Sequence, residues 1–155
     1  MNIGIIIYSQ TGNTNSVALK LKEKFSAGGH SVNIEQIEIS ERSSPRATNF
    51  QFKTKPDVDK YDALVFGAPV QAFSLSPVMK SYLTQMVSLK GKKVACFVTK
   101  GLPFCWTGGN QAINKMEKIC KSKDGEVCGS EIVIWGSASR EQKIAEVIDR
   151  LARLF

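Results

Sequence analysis

Three hydroxyl side chains and a glycine fall within six residues, Ser9-Gln10-Thr11-Gly12-Asn13-Thr14, directly after the apolar run Ile3 to Tyr8 and before a stretch of helical periodicity. At such a junction a buried strand ends and a helix begins. Ser9, Thr11 and Thr14 supply hydroxyl donors, Gly12 lets the backbone bend toward a ligand, and the first amides of the helix lack intrahelical acceptors. Neutral donors together with the positive helix end seat a phosphate dianion without any lysine or arginine in contact. The Walker-type lysine is absent, as is the Gly-x-Gly-x-x-Gly spacing, so neither a nucleoside triphosphate nor a dinucleotide is the expected ligand. Taken alone, the same six residues also make an ordinary turn.

The elements that must position this loop follow from hydrophobic spacing. Val17, Ala18, Leu21 and Phe25 recur at helical intervals, and Gly28-Gly29 stop that helix before His30, which reads as an exposed turn residue without a chemical role. Val32 and Ile34 alternate with polar residues, but Ile37 and Ile39 are out of phase with them, as in an edge strand with a bulge or early end. Residues 40–60 are polar, hold Pro45 and Pro56 and offer only Phe50 and Phe52 as large apolar anchors. A regular crossover helix is doubtful there, and an irregular connection over the surface is expected.

Ala63 to Gly67 is a continuous apolar run of the kind buried between two helical layers. Ala68 to Leu75 reads as the loop after it. Ser76 with Pro77 then opens a helix whose inward residues are Val78, Met79, Tyr82, Leu83 and Met86. Val94 to Thr99 is the fourth strand, and Lys100 to Gly109 a second long loop. Ala112, Ile113, Met116, Ile119 and Cys120 face inward from the next helix. Ile132 to Trp135 reads as the fifth strand, and Ser139 with Gln142 resembles a capping box for a last helix lined by Ile144, Val147, Ile148, Leu151 and Phe155. This alternation implies one α/β domain over 1–155, a three-layer doubly wound sheet of five parallel strands. In such sheets ligands sit beyond the carboxyl ends of the strands, where the strand order reverses.

With these motifs in place, Ser9-x-Thr11-Gly12-x-Thr14 resembles the phosphate loop of the flavodoxin-like family, which grips the terminal phosphate of FMN. Tyr61 to Val70, Ser76-Pro77, Lys92 to Gly101 and Gly108-Gly109 are similar to the segments around that family's second and third flavin loops. The resemblance is weak from Ser40 to Lys60. It implies strand order 2-1-3-4-5 and a cofactor site made of Ser9, Gln10, Thr11, Gly12, Asn13 and Thr14, of Ala68, Pro69, Val70, Gln71, Ala72 and Phe73, and of Thr99, Lys100, Gly101, Phe104, Trp106, Gly108 and Gly109. Relatives with a similar second loop often carry an aromatic residue where this chain has Gln71. Here the aromatic is Phe73, and Phe73, Phe104 and Trp106 are the candidates for covering the ring. Apolar surroundings would lower the flavin's potential, and Lys100 nearby would raise it. Cys105, with only Lys100 near it in sequence, is expected to be incidental.

Function then follows as expectation. The chain is read as a short-chain, FMN-binding electron carrier; the alternative is an NAD(P)H-dependent quinone reductase using FMN, and a third reading is a scaffold that has lost its flavin. Lysines and arginines number 21 against 14 carboxylates, a net charge of +7. Flavodoxins acting as carriers are typically acidic, so a basic chain points to acidic redox partners, ferredoxin-like or reductase. The lysines at 115, 118, 121 and 123 read as a solvated helix face, since no nucleic-acid signature accompanies them. No leader or membrane insertion is read. The four cysteines lack Cys-x-x-Cys spacing, so no metal site is expected and a cytoplasmic setting is the simplest.

Overall fold

The computed structural model describes residues 1–40, 51–71, 73–101 and 108–155. Five parallel strands form its centre: β1 (Asn2–Ile7), β2 (Ser31–Gln36), β5 (Ala63–Gln71), β7 (Lys93–Lys100) and β8 (Glu126–Ile134), in the order β2-β1-β5-β7-β8. Numbered as five central strands, this is the expected order 2-1-3-4-5. The order reverses at β1, between β2 and β5, and in open parallel sheets such a reversal is where ligands bind, beyond the carboxyl ends of the strands.

Helices α1 (Asn13–Ala27) and α4 (Arg140–Ala152) cover one face, and α2 (Pro77–Gln85) and α3 (Gly109–Ser122) the other. Alternation along each strand decides which side chain goes where. Ile3, Ile5 and Ile7 pack under Val17, Leu21 and Ile148, whereas Ile6, Leu64, Phe66 and Val98 pack under Met79, Tyr82 and Met116. Both faces of β1, β5 and β7 are thus buried, which is why these strands read as unbroken apolar runs. No helix among the described residues is long and apolar enough to cross a membrane, and no metal-holding group of His, Cys, Asp or Glu occurs among them.

The phase slip after Ile34 marks a real boundary. β2 ends at Gln36, and β3 (Glu38–Ile39) turns away to pair antiparallel with β4 (Phe52–Thr54). Among the described residues no helix stands between β2 and β5, but the segment is no mere surface excursion. Ile37, Pro56 and Val58 are buried, and Phe52 packs on the same core edge-on to Tyr82 at 6.2 Å.

Several local expectations are corrected. The fifth strand starts six residues earlier than its apolar pattern, at Glu126, because a bulge at Cys128 shifts the register between Val94 and Ala95 and breaks the alternation. Neither Ser76 nor Ser139 makes a side-chain cap, although Pro77 does occupy the first position of α2. Ser137 Oγ accepts from the Ser139 amide at 3.3 Å instead, and the buried Ser76 hydroxyl has no partner among the described residues. Phe155 lies past the end of α4 and stacks on Phe25 at 5.7 Å. His30 is half-buried, edge-on to Phe25 at 6.0 Å.

Candidate functional site

The first loop leaves β1 and reaches α1 through Gly12, whose φ of 89° is a left-handed conformation that side chains disfavour. The Gly12 carbonyl accepts the Ser16 amide at 2.9 Å, which starts the helix. Ser9 Oγ accepts the Asn15 amide at 3.4 Å, and so keeps its own proton for a ligand. Among the described residues, the amides of Asn13 and Thr14 donate to no protein acceptor. A Cβ placed at Gly12 would meet no atom of the described residues within 4 Å, so the space beside Gly12 is open among them. Thr11 is exposed, whereas Thr14 is buried with its Oγ1 2.9 Å from Thr99 Oγ1. Open space, free amides, hydroxyl donors and no carboxylate together fit a phosphate dianion.

The second loop is a hairpin rather than the open loop read after Gly67. β5 continues to Gln71 and returns in β6 (Ser74–Leu75), with Val70 opposite Leu75 and Gln71 opposite Ser74. The extension follows from strand length. β1 stops pairing at Ile7 with Gly67, while β7 continues alongside to Pro69 with Thr99, so the missing donor of Pro69 falls where β1 has ended. Ala68 is buried, and Pro69, Val70 and Gln71 are half-buried. Ala72 lies outside the described residues. Phe73, at the turn, has φ of 60° and is 59% exposed.

In the third loop, consecutive residues at the end of β7 go to opposite faces. Thr99 points toward α1, as its bond to Thr14 shows, and the Lys100 stem lies toward the start of α3, where a Cβ on Gly109 would sit 3.3 Å from Lys100 Cδ. Both Thr99 and Lys100 are buried, and Gly101 is exposed. Phe104, Cys105 and Trp106 lie outside the described residues. Gly108 caps α3 with φ of 98°, and a Cβ there would come within 2.2 Å of the Phe73 carbonyl carbon. Only glycine lets the second and third loops touch in this way.

The three loops are therefore tied to each other. Gln71 Nε2 donates to Gln10 Oε1 at 2.5 Å, linking first to second; Gly108 against Phe73 links second to third; Thr14 with Thr99 links first to third. Sequence reasoning missed a fourth support, in which the amides of Trp135 and Gly136 donate to the carbonyls of Lys100 at 2.7 Å and Gly101 at 3.1 Å. Its only signal was a glycine just past an apolar run. A cleft of about 500 Å³ lies at the amino end of the sheet, lined by Lys24, His30, Asp149 and Arg153; Lys24 pairs with Asp149 at 3.1 Å, and no loop motif reaches it.

A flavodoxin-domain family model matches residues 5–122. Among solved structures, oxidised flavodoxin 2 from Bacillus cereus is 20% identical with a TM-score of 0.69 over 100% of both chains. Two-electron reduced Megasphaera elsdenii flavodoxin is 21% identical, with a TM-score of 0.64 over 96% of this chain and 98% of that one. A flavoprotein in complex with FMN from Lactobacillus acidophilus NCFM is 17% identical, with a TM-score of 0.65 over 94% of this chain and 97% of that one. At these identities the likeness is one of fold.

Proposed function

The chain belongs to the flavodoxin family, and from that premise we propose that it binds FMN and carries electrons between protein partners, with the phosphate seated on the first loop. The observation that supports this most is the mutual tying of three loops around a donor set that is uncharged and open above Gly12. Bound FMN would supply reversible uptake of one or two electrons. The chain's own part is to bind, orient and shield. Ser9 and Thr11 donate from hydroxyls, Asn13 and Thr14 from amides at the positive end of α1. The hairpin tip at Gln71 and Phe73, with Gly101 beyond β7, is where the ring would be held. Lys100 is the sole charged side chain in the sequence of the three loops, and a cation beside the ring would favour its reduced, negative form.

The partners in this reading are acidic proteins, since the net charge of +7 steers them toward the surface and repels basic ones. The test is to purify the chain, add FMN and examine both spectrum and turnover. A yellow complex that exchanges electrons with a partner protein supports the carrier. Steady NAD(P)H oxidation with a quinone would transfer the assignment to a reductase.

A further inference from the structure

The pair Thr14 and Thr99 calls for an explanation. Their Oγ1 atoms are 2.9 Å apart, Thr14 is 1% exposed and Thr99 3%, and the two are separated by 85 residues. Each hydroxyl has one proton, so only one of the two can donate to the other. If Thr14 donates, its oxygen presents only lone pairs toward the start of α1, and a phosphate dianion placed there is repelled. If Thr99 donates, the Thr14 proton is free for the phosphate, and the hydroxyl that gives it is itself polarised by an incoming hydrogen bond.

We infer that Thr99 is a positioning residue for the phosphate seat: by donating to Thr14 from the end of β7, it fixes the Thr14 rotamer and aims its proton at the anion. The inference rests on the FMN reading above and adds a residue that never touches the phosphate. It also gives the third loop a stake in the first. The strand that leads into Lys100 and Gly101 is locked to the helix that holds the phosphate, so a filled seat stiffens the base of the loop beside the ring. Nothing else among the described residues competes for the two hydroxyls, whereas Ser9 already accepts from Asn15 and is oriented independently.

The experiment compares dissociation constants for FMN and for riboflavin, which lacks the phosphate, in the full chain and in Thr99→Val, Thr99→Ser, Thr14→Val and Thr14→Val/Thr99→Val. A general packing defect weakens both ligands equally, and a lost phosphate interaction weakens FMN alone. Thr99→Val is expected to lower the preference for FMN over riboflavin by about fivefold to tenfold, part of what a hydrogen bond to a charged group contributes. Thr99→Ser restores it, and Thr99→Val adds nothing once Thr14 is valine. If the full chain prefers FMN and Thr99→Val keeps that preference undiminished, the relay is wrong and the seat stands. If the full chain binds both ligands alike, seat and relay fall together.

Discussion

The two faces of the sheet are covered in different ways. On one, α1 and α4 are laced together by ion pairs, Lys20 with Glu141 at 2.8 Å and Lys24 with Asp149 at 3.1 Å. On the other, the charge of Lys80 on α2 lowers the pKa of Lys115 on α3, with desolvation adding to it. Two cations there find neutral oxygens, Lys123 Nζ donating to the Thr84 carbonyl and Lys55 Nζ to Gln85 Oε1, each at 3.0 Å, while Lys121 pairs with Glu117 within α3 at 3.9 Å. Glu117 is the sole carboxylate on α2 and α3, against four lysines. The second face also has to be closed partly by irregular chain. Tyr82 donates to the Pro56 carbonyl at 2.6 Å and Tyr61 to Glu35 Oε2 at 2.5 Å, pinning the segment before β5. On the first face apolar contact and surface pairs close the core; on the second, the described chain before β5 adds to the two helices and is held by the polar bonds of Tyr82 and Tyr61.

That contrast can be broken most easily at Tyr82. Replacing Tyr82 by Phe leaves the buried Pro56 carbonyl without its donor and should cost about 1–3 kcal/mol in urea unfolding. Removing an exposed pair on the opposite face, by Lys20→Ala, should cost no more than about 0.5 kcal/mol. Equal costs would erase the distinction.

Alkaline pH separates the faces next. Burial first, then the nearby Glu35 and Asp57 charges, raise the Tyr82 pKa, and burial with the Glu35 bond raises that of Tyr61. The unfolded chain therefore releases these protons first. Stability should be complete below about pH 10, the unfolded tyrosine value, and fall as pH rises beyond it. In Tyr82→Phe the fall should be shallower when followed by circular dichroism. Glu141 behaves oppositely: a hydrogen bond and charge from Lys20 lower its pKa, so its small contribution exists above the unfolded carboxylate range and disappears in acid.

The smallest expected effect has opposite signs on the two faces. Lys80→Glu turns the like-charge contact into a pair with Lys115 and should stabilise by about 0.3–0.5 kcal/mol, while Lys20→Glu, set against Glu141, should destabilise by a similar amount. The Lys115 titration, followed by NMR, should move upward in Lys80→Glu. The same change should slow association with an acidic partner, and the slowing should diminish at high salt.

The parallel strands and the two helical layers were legible because apolar spacing survives in the chain from Ile3 onward, and the strand order followed from the family resemblance that the loop motifs carry. What was hidden depends on contacts between distant residues. The hairpin at Gln71 exists because β7 outlasts β1, and no local pattern encodes that. The bulge at Cys128 hid the first half of β8. The Thr14–Thr99 bond joins two residues that each looked complete locally, one as a ligand donor and the other as a strand end. Ser76 and Ser139 have the right residue type for caps, but their side chains do not bond the helix amides.

The central claim is that uncharged donors of the first loop seat a phosphate. Binding of FMN and riboflavin to the full chain and to Thr11→Ala, followed by flavin fluorescence, tests it most directly. Thr11 is exposed and bonded to nothing among the described residues, so its loss should spare the fold. The expected result is at least about a tenfold loss for FMN, the scale of a hydrogen bond to a charged group, with riboflavin unchanged. FMN affinity untouched by Thr11→Ala, or both flavins weakened equally, would contradict the account.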